Sequence, residues 1–333
     1  MKVLVTGAGA LMGQGIIRSL RASLKQARII AADPDPRATG LYWADAAYLI
    51  PNAHSPEYAG ALRRLLESER PDAILIGTDV ELPFFAAQRE VLENDFSLSV
   101  LVSNPEVIEV ADDKWRTYGF LKANGFPYPN SSISLSDQEF FEDVRYPLVV
   151  KPRSGARSVG MSVVTNRQEL ETAFMNLETP IVQELVGSAE SEYTAGALVF
   201  DGECKASIVM RRDLRDGNTY RGFVESYPEL NVKVKALAER LCPHGPVNFQ
   251  FRICDDLVKV FEINARFSGT TPLRAQAGFN EVEMCLRYLL EGKEIRQPPV
   301  RPLVLLRHWE ETCVEWAQFE EMSRRSVLNL VNA

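Results

Sequence analysis

Residues 1 to about 110 alternate between short apolar runs and longer amphipathic stretches, and this alternation constrains the fold more than any other feature of the chain. "KVLVTG", "ARIIAADPD", "DAILIGTD" and "SLSVLVSN" read as strands, being brief, apolar and bounded by turn residues. Between them, "GQGIIRSLRAS", "SPEYAGALRRLLESER" and "ELPFFAAQREVLEND" read as helices; Ile16, Ile17 and Leu20 share one face of the first. Strands that alternate with helices predict a parallel, doubly wound α/β sheet. From Asp112 the order changes to an α+β pattern. A helix, "DDKWRTYGFLKANG", stops at Gly125, and "YPLVVKPRSGARSVGMSVV" reads as strand, Gly/Ser loop, strand. "NRQELETAFMNL" follows as a helix and "IVQELV" as a strand. Two hairpins come next, "SEYTAGALVFDGECKASIVMRR" turning at Asp-Gly and "VNFQFRICDDLVKVFEINAR", separated by the helix "NVKVKALAERLC". The helix "NEVEMCLRYLLEG" closes this part, and the tail after Pro298 is a weakly patterned strand and helix.

A chain of 333 residues has room for two or three packed lobes. Its net charge of -8 argues against a nucleic-acid partner, which calls for a basic surface. The five cysteines show no paired or metal-like spacing and read as free thiols of a reducing cytosol; three histidines do not make a His-rich zinc site. "MKVLVTGAGA" runs straight into a strand and a glycine turn without the apolar core of a signal peptide, and no apolar run is long enough to span a membrane. The expected location is the cytoplasm.

Three polar constellations carry chemistry. In "FEINARFSG", Glu262, Asn264 and Arg266 occupy every second position, so on a strand they share one face while Ile263 and Ala265 face a core. A carboxylate and an amide oxygen suit Mg²⁺, and a guanidinium suits a phosphate or carboxylate. The preceding strand offers Asn248, Gln250 and Arg252 on its polar face. Gln250 can stand opposite Glu262 only if the hairpin loop has an odd length; a two-residue loop puts Gln250 opposite Phe261. A half-buried strand with a solvated polar face is the plainer alternative. In "VVKPRSGARSVGM", Lys151 ends an apolar strand, and Gly155, Ser158 and Gly160 make a loop whose amides can cradle phosphate oxygens, with Arg153 and Arg157 nearby. The loop leads to a strand and not to a helix, so it is a hairpin flap and not a P-loop. In "IVQELVGSAESEYTAG", the strand end at Leu185 can offer backbone groups to a purine edge, and Glu184 or Glu192 can accept from amine or ribose hydroxyl groups.

In this order, Lys114, Lys151 with its glycine flap, Glu184, Glu192, Gln250, Glu262, Asn264 and Arg266 resemble the ATP-grasp superfamily. The nearest likeness is the synthetase unit of the carbamoyl-phosphate synthase large subunit and its stand-alone relatives, over about residues 1 to 295. The resemblance implies a pre-ATP-grasp, Rossmann-like domain over 1–111, a small lid subdomain over 112–186, and a large subdomain with a C-terminal extension over 187–333. It implies ATP beneath the flap, with Lys114 and Lys151 on phosphates or the adenine side, Gly155, Ser158 and Gly160 over the phosphates, Glu184 and Leu185 at the adenine end, and Glu192 at the ribose. Glu262 and Asn264, with Gln250 as a softer third ligand, would hold Mg²⁺ or Mn²⁺; Arg266 would steady the transferred phosphoryl group. The implied reaction is ligation of a small carboxylate to an amine, and the implied assembly a homodimer. Many relatives carry a carboxylate where Gln250 stands, and full carbamoyl-phosphate synthases carry two such units and a glutaminase partner. Carbamoyl phosphate synthesis is therefore not expected of this chain, nor is there a biotin-enzyme signature.

Substrate contacts are read from position alone. "GTDVEL" lies where open α/β sheets bind ligands, so Asp79 and Glu81 either orient an amine or simply cap a helix. Arg211, Arg212, Arg221 and Arg274 are candidate anion contacts, with Arg274 favoured for a substrate carboxylate. Gly7, Gly9 and Asp33 invite a second reading, a nicotinamide-dependent oxidoreductase, although the third fingerprint position is Met12 and not glycine. A nucleotide-binding module without turnover is the remaining alternative.

Overall fold

The computed structural model describes residues 1–155 and 158–330. The chain builds three sheets. β1 (Lys2–Thr6), β2 (Arg28–Asp33), β3 (Ala46–Leu49), β4 (Ala73–Ile76) and β5 (Ser99–Leu101) pair in parallel in the order β3-β2-β1-β4-β5. β6 (Ser131–Ser132), β7 (Leu148–Pro152), β8 (Ser162–Val164) and β9 (Pro180–Glu184) make a small antiparallel sheet, ordered β6-β9-β7-β8. β10 (Glu192–Phe200), β11 (Glu203–Arg215), β12 (Asn218–Val224), β13 (Gly245–Cys254), β14 (Leu257–Asn264) and β15 (Leu303–Leu306) form the large antiparallel sheet, ordered β14-β13-β10-β11-β12-β15. β16 (Val327–Asn329) returns to pair antiparallel with β3.

The parallel sheet is apolar on both faces because helices cover both. Leu4 packs with Tyr58, Leu62 and Phe85 on one side, while Val3 and Val5 pack with Ile16, Ile17, Leu20 and Met322 on the other. Those side chains come from α1 (Leu11–Ser23), α2 (Tyr58–Glu69), α3 (Leu82–Phe96) and the C-terminal helix Trp316–Arg325. The same two cores continue into the large sheet, through Phe249, Phe251 and Ile263 on one side and Ile208, Phe267 and Phe279 on the other. The small sheet has a separate core of Phe140, Leu148, Val150, Leu170 and Val182. It is therefore a lobe with a core of its own.

Two turns need glycine. Gly7 has φ +55°, and a Cβ on Gly13 would lie 2.2 Å from the Gly7 carbonyl oxygen, so the start of α1 can approach β1 only without side chains. β3 is not expected from the sequence, its "AAYL" being too short to stand out, and β11 runs past Arg212 to Arg215. β12 follows a second turn at Asp216–Gly217, both with positive φ, and turns the expected hairpin into a meander. The tail is divided between the lobes: β15 joins the large sheet beside β12, and β16 closes the edge of the N-terminal sheet.

Candidate active site

The β13–β14 hairpin decides the register of the site. Its loop is the two residues Asp255 and Asp256, both with positive φ, and Cys254 stands opposite Leu257. Phe251 pairs with Val260, so continued pairing would set Gln250 against Phe261. A β-bulge at Phe261 adds the missing residue, and Gln250 pairs with Glu262 and Asn248 with Asn264. The expectation of an odd loop is thus corrected: an even loop and one bulge give the same juxtaposition. The bulge also brings Phe261 into the wall of the cleft.

The result is a hydrogen-bonded ladder. Arg212 Nη2 donates to Gln250 Oε1 at 2.6 Å, and Gln250 Nε2 to Glu262 Oε1 at 3.0 Å. Asn264 Nδ2 donates to the same Glu262 oxygen at 2.9 Å. Arg266 Nη2 donates to Asn264 Oδ1 at 2.8 Å and Arg266 Nε to Asp79 Oδ1 at 2.7 Å, tying the large sheet to the N-terminal domain. At the other end the buried Glu192 carboxylate is gripped by Arg212 at 2.8 Å and Arg252 at 2.8 Å. Burial pushes the Asp79 carboxyl upward, but the Arg266 guanidinium, the Lys114 charge and a backbone hydrogen bond together hold it below its usual range.

Above the ladder lies the flap. Asp113 caps α5 (Lys114–Ala123), the fifth helix after α4 (Pro105–Asp112), and binds Arg153 on the flap, with Arg153 Nε 3.1 Å from Asp113 Oδ1. Lys114 Nζ donates to the carbonyls of Arg153 and Gly155, at 3.3 and 3.0 Å. Lys151 Nζ donates to Gln183 Oε1 at 2.8 Å. Burial, with help from the Lys114 charge, pushes the Lys151 ammonium down to about 7, against the opposing pull of Glu262 and Glu192. Gly155, Ser158 and Gly160 all have positive φ, as a tight phosphate-cradling loop requires. Arg157 lies outside the described residues. Glu184 accepts from Lys259 Nζ at 3.0 and 3.1 Å, and the pairing of β9 with β7 ends at Glu184, leaving the Leu185 peptide beyond the ladder.

These groups line two clefts that meet. One, of about 1010 Å³, is lined by the apolar side chains of Met161, Val163, Leu185, Val186 and Phe261 together with Lys114, Lys151, Arg212 and Glu262, Lys151 Nζ lying 5.6 Å from the Phe261 ring centre. It suits a flat heterocycle with an anionic tail. The second, of about 2080 Å³, opens between the N-terminal domain and the large sheet, past Asp79, Asn264 and Arg266. Both are bounded by Lys114, Gly155, Arg212, Gln250 and Glu262.

Three expected substrate contacts are corrected. Arg274 is 1% exposed and lines neither cleft; its two Nη atoms donate to Glu281, Thr270, Ser268 and Asn248, while its buried Nε has no partner among the described residues, so it braces the back of the site. Arg211 lies over the Phe223 ring and pairs with Asp213, while its neighbour Arg212 takes the inward face. Glu81 is buried, accepting from Thr6 and Tyr58 hydroxyls at 2.7 Å each; Asp79, two residues earlier, faces the cleft. Burial pushes the Glu81 carboxyl up to about 7 against those hydrogen bonds. The nicotinamide reading also loses its acidic residue: Asp33 is buried and accepts from the Gly9 amide at 2.7 Å and the Asp35 amide at 3.0 Å. Arg252 was visible as part of the polar face of "VNFQFRI"; Arg307, in the weakly patterned tail, had no signal.

Among the described residues no cluster of three or more His, Cys, Asp or Glu could hold a metal ion. The fitting donors are one carboxylate and two amides. Glu262 Oε2 accepts no hydrogen bond from a described residue, which leaves it available to a hard cation that takes its remaining ligands from phosphate and water. No described helix is long and apolar enough to cross a membrane.

Residues 111–270 match the family described as ATP-grasp domain, and residues 3–97 match the PylC-like N-terminal domain. The chain is 24% identical to the carbamoyl phosphate synthase large chain of Archaeoglobus fulgidus over 92% of its own length and 30% of that protein's. It thus spans about a third of the length of the curated relatives it matches. Among solved structures, an N5-carboxyaminoimidazole synthetase from Staphylococcus aureus complexed with ADP superposes with TM-score 0.72 at 15% identity, covering 92% of this chain and 81% of that one. An L-amino acid ligase from Bacillus licheniformis gives TM-score 0.67 at 18% identity, covering 90% and 77%. At such identities the likeness is one of fold.

Proposed function

Taking as premise that this chain belongs to the ATP-grasp superfamily, we propose that it is an ATP-dependent carboxylate–amine ligase. ATP phosphorylates a carboxylate to an acyl phosphate, releasing ADP; an amine then attacks the activated carbonyl and expels phosphate. The observation that carries this reading is the meeting of the two clefts along Gln250 and Glu262. A γ-phosphoryl group beside Lys114 and Glu262, where the first cleft opens into the second, would face a carboxylate held in the second, so that transfer needs positioning and little covalent chemistry from the protein.

The residues divide the work. Leu185, Val186, Met161 and Phe261 enclose the base, and Glu184 orients its edge or is held by Lys259. Lys114, Lys151 and the amides around Gly155, Ser158 and Gly160 meet the phosphates, and flap closure excludes water from the acyl phosphate. Glu192 positions Arg212 and Arg252. Arg266, fixed in the plane of the ladder by Asp79 and Asn264, stabilises charge on the transferring group. Glu262, through its free Oε2, would hold Mg²⁺ beside the amide groups of Asn264 and Gln250, and the ion's charge would neutralise the phosphate oxygens.

The test is an ADP-release screen of carboxylates crossed with amines, with product mass determined for every hit. Glu262→Gln keeps the hydrogen bonds to Gln250 and Asn264, and its melting temperature should be unchanged while ADP release is abolished. Full activity in that variant removes Glu262 from the metal site. Absence of ADP release from the wild type with every pair refutes the ligase reading and favours a module that binds nucleotide without turnover.

A further inference from the structure

Four Lys and Arg side chains, with His54, line the interdomain cleft. Arg212 is paired with Glu192 and Arg266 with Asp79, while Lys114 donates to flap carbonyls. The fourth, Arg307, pairs with no carboxylate among the described residues; its side-chain hydrogen bond goes to the carbonyl of Gly269. Its direction is fixed by the strand it follows. The Arg307 amide donates to Tyr220 O at 3.1 Å, extending the β12–β15 ladder by one residue. By alternation it shares a side with the buried Leu305, whereas Val304 and Leu306 are 62% and 64% exposed on the other.

A second observation places this guanidinium in a built corner. A Cβ on Gly269 would lie 2.9 Å from Leu11 Cδ2, so the 268–270 loop packs directly against the first residue of α1. The cap residue of α1 is Ala10, with no side-chain oxygen to satisfy the first-turn amides, and Ala10, Leu11 and Met12 line the same cleft as Arg307. Arg307, the Gly269 loop and the start of a 13-residue helix therefore converge, with the Arg274–Glu281 network bracing the loop from behind through Thr270.

We propose that Arg307 anchors a carboxylate carried by the substrate in this cleft, apart from the reacting group, so that the amine substrate is an amino acid. This rests on the ligase reading: an amine that bears its own carboxylate is an amino acid. One planar guanidinium fork matches one carboxylate in charge and in geometry, whereas a phosphate monoester would bring nearly two charges to a single cation.

The test is binding, which needs no turnover. Wild type, Arg307→Met and Arg307→Lys are saturated with a non-hydrolysable Mg²⁺-ATP analogue and titrated calorimetrically with the common amino acids, their carboxamides and phosphoethanolamine. The expected result is at least one amino acid that binds wild type about 10- to 100-fold more tightly than its carboxamide, the range of a charge-assisted hydrogen-bonded pair. That preference should vanish in Arg307→Met and partly survive in Arg307→Lys, with nucleotide affinity equal in all three. Should Arg307→Met fail to fold, the wild-type carboxamide comparison and Arg307→Lys still decide. The proposal is overturned if no amino acid is preferred over its carboxamide, if the preference persists without the guanidinium, or if the Arg307-dependent ligand is the phosphate monoester. The ligase reading stands or falls separately, on ADP release.

Discussion

Nucleotide binding should take up a proton at Lys151, and the size of that uptake follows from its burial. The ammonium sits at about 7 in the empty cleft because desolvation disfavours its charge, with Lys114 adding to the effect and Arg252 adding less; Glu262 and Glu192 pull the other way. A triphosphate placed against it reverses the balance and returns its pKa toward the usual lysine range. The bound form then holds more protons than the free form at every pH above about 6, so affinity must fall as pH rises. With a free value near 7 and a bound value several units higher, uptake should be about 0.1 proton at pH 6, about half at pH 7 and about 0.9 at pH 8. Between pH 6.5 and 8.5 the dissociation constant should rise about 25-fold, or about 2 kcal/mol. Titration calorimetry in buffers of different ionisation enthalpy reads the uptake directly, using a Mg²⁺-ATP analogue that does not turn over. Lys151→Met should bind more weakly at low pH and show no uptake from this site. Uptake near zero at pH 8 in the wild type would refute the argument, showing either that Lys151 is charged in the free protein or that phosphates do not reach it.

Three further substitutions test the surrounding framework. Glu192→Ala leaves Arg212 and Arg252 without their shared buried counter-ion and should cost about 3–5 kcal/mol in urea unfolding, where an exposed pair such as Arg37–Asp35 would cost almost nothing. Glu81 has a raised folded pKa, so its protonated form stabilises the protein below the unfolded value of 4.5, and that contribution is lost as pH climbs through about 7. The difference in unfolding free energy between wild type and Glu81→Gln should therefore shift by up to about 3 kcal/mol against the wild type from pH 4 to pH 8, and a flat difference would contradict it. Gly13→Ala puts a methyl group 2.2 Å from the Gly7 carbonyl oxygen and should lower stability by about 2 kcal/mol or more, measured by chemical denaturation, while Gly119→Ala, with open space around it, should not.

Much of the site was legible because strand alternation is a local rule. Glu262, Asn264 and Arg266 share a face for the same reason that Ile263 is buried, and neither fact depends on the rest of the chain. What needed coordinates was non-local. The bulge at Phe261 is not encoded by any turn residue; it arises where one strand must present a bulky aromatic ring to the cleft and still keep Gln250 opposite Glu262. Arg274 and Arg307 could not be ranked by composition, since both are arginines in unpatterned stretches. The first lies on a short helix, Thr271–Gln276, and is buried against Glu281 at the start of the next; the second follows a strand and pairs with no carboxylate among the described residues. Glu81 and Asp79 differ by two residues on a 3₁₀ turn, which sends one carboxylate into the core and the other toward Arg266.

The charge count at the meeting of the clefts explains why Lys151 is the group left to titrate. Lys114, Arg212, Arg252 and Arg266 supply four positive charges against Glu192, Glu262 and Asp79. The guanidiniums remain charged at any relevant pH and are locked by carboxylates, so their positions are set before a ligand arrives. A fifth permanent cation would raise the net charge of a largely buried site to plus two without a counter-ion, a cost several times that of an exposed charge. Deprotonating Lys151 avoids that cost in the empty cleft. A Mg²⁺-ATP complex brings roughly two negative charges, which the single surplus cation and one added proton then match. The same reasoning predicts that Lys151→Arg, which cannot release its proton, should destabilise the nucleotide-free protein and remove the proton uptake while leaving the bound state charged. A variant that is as stable as wild type without nucleotide would show that water, and not proton loss, relieves the burial of Lys151.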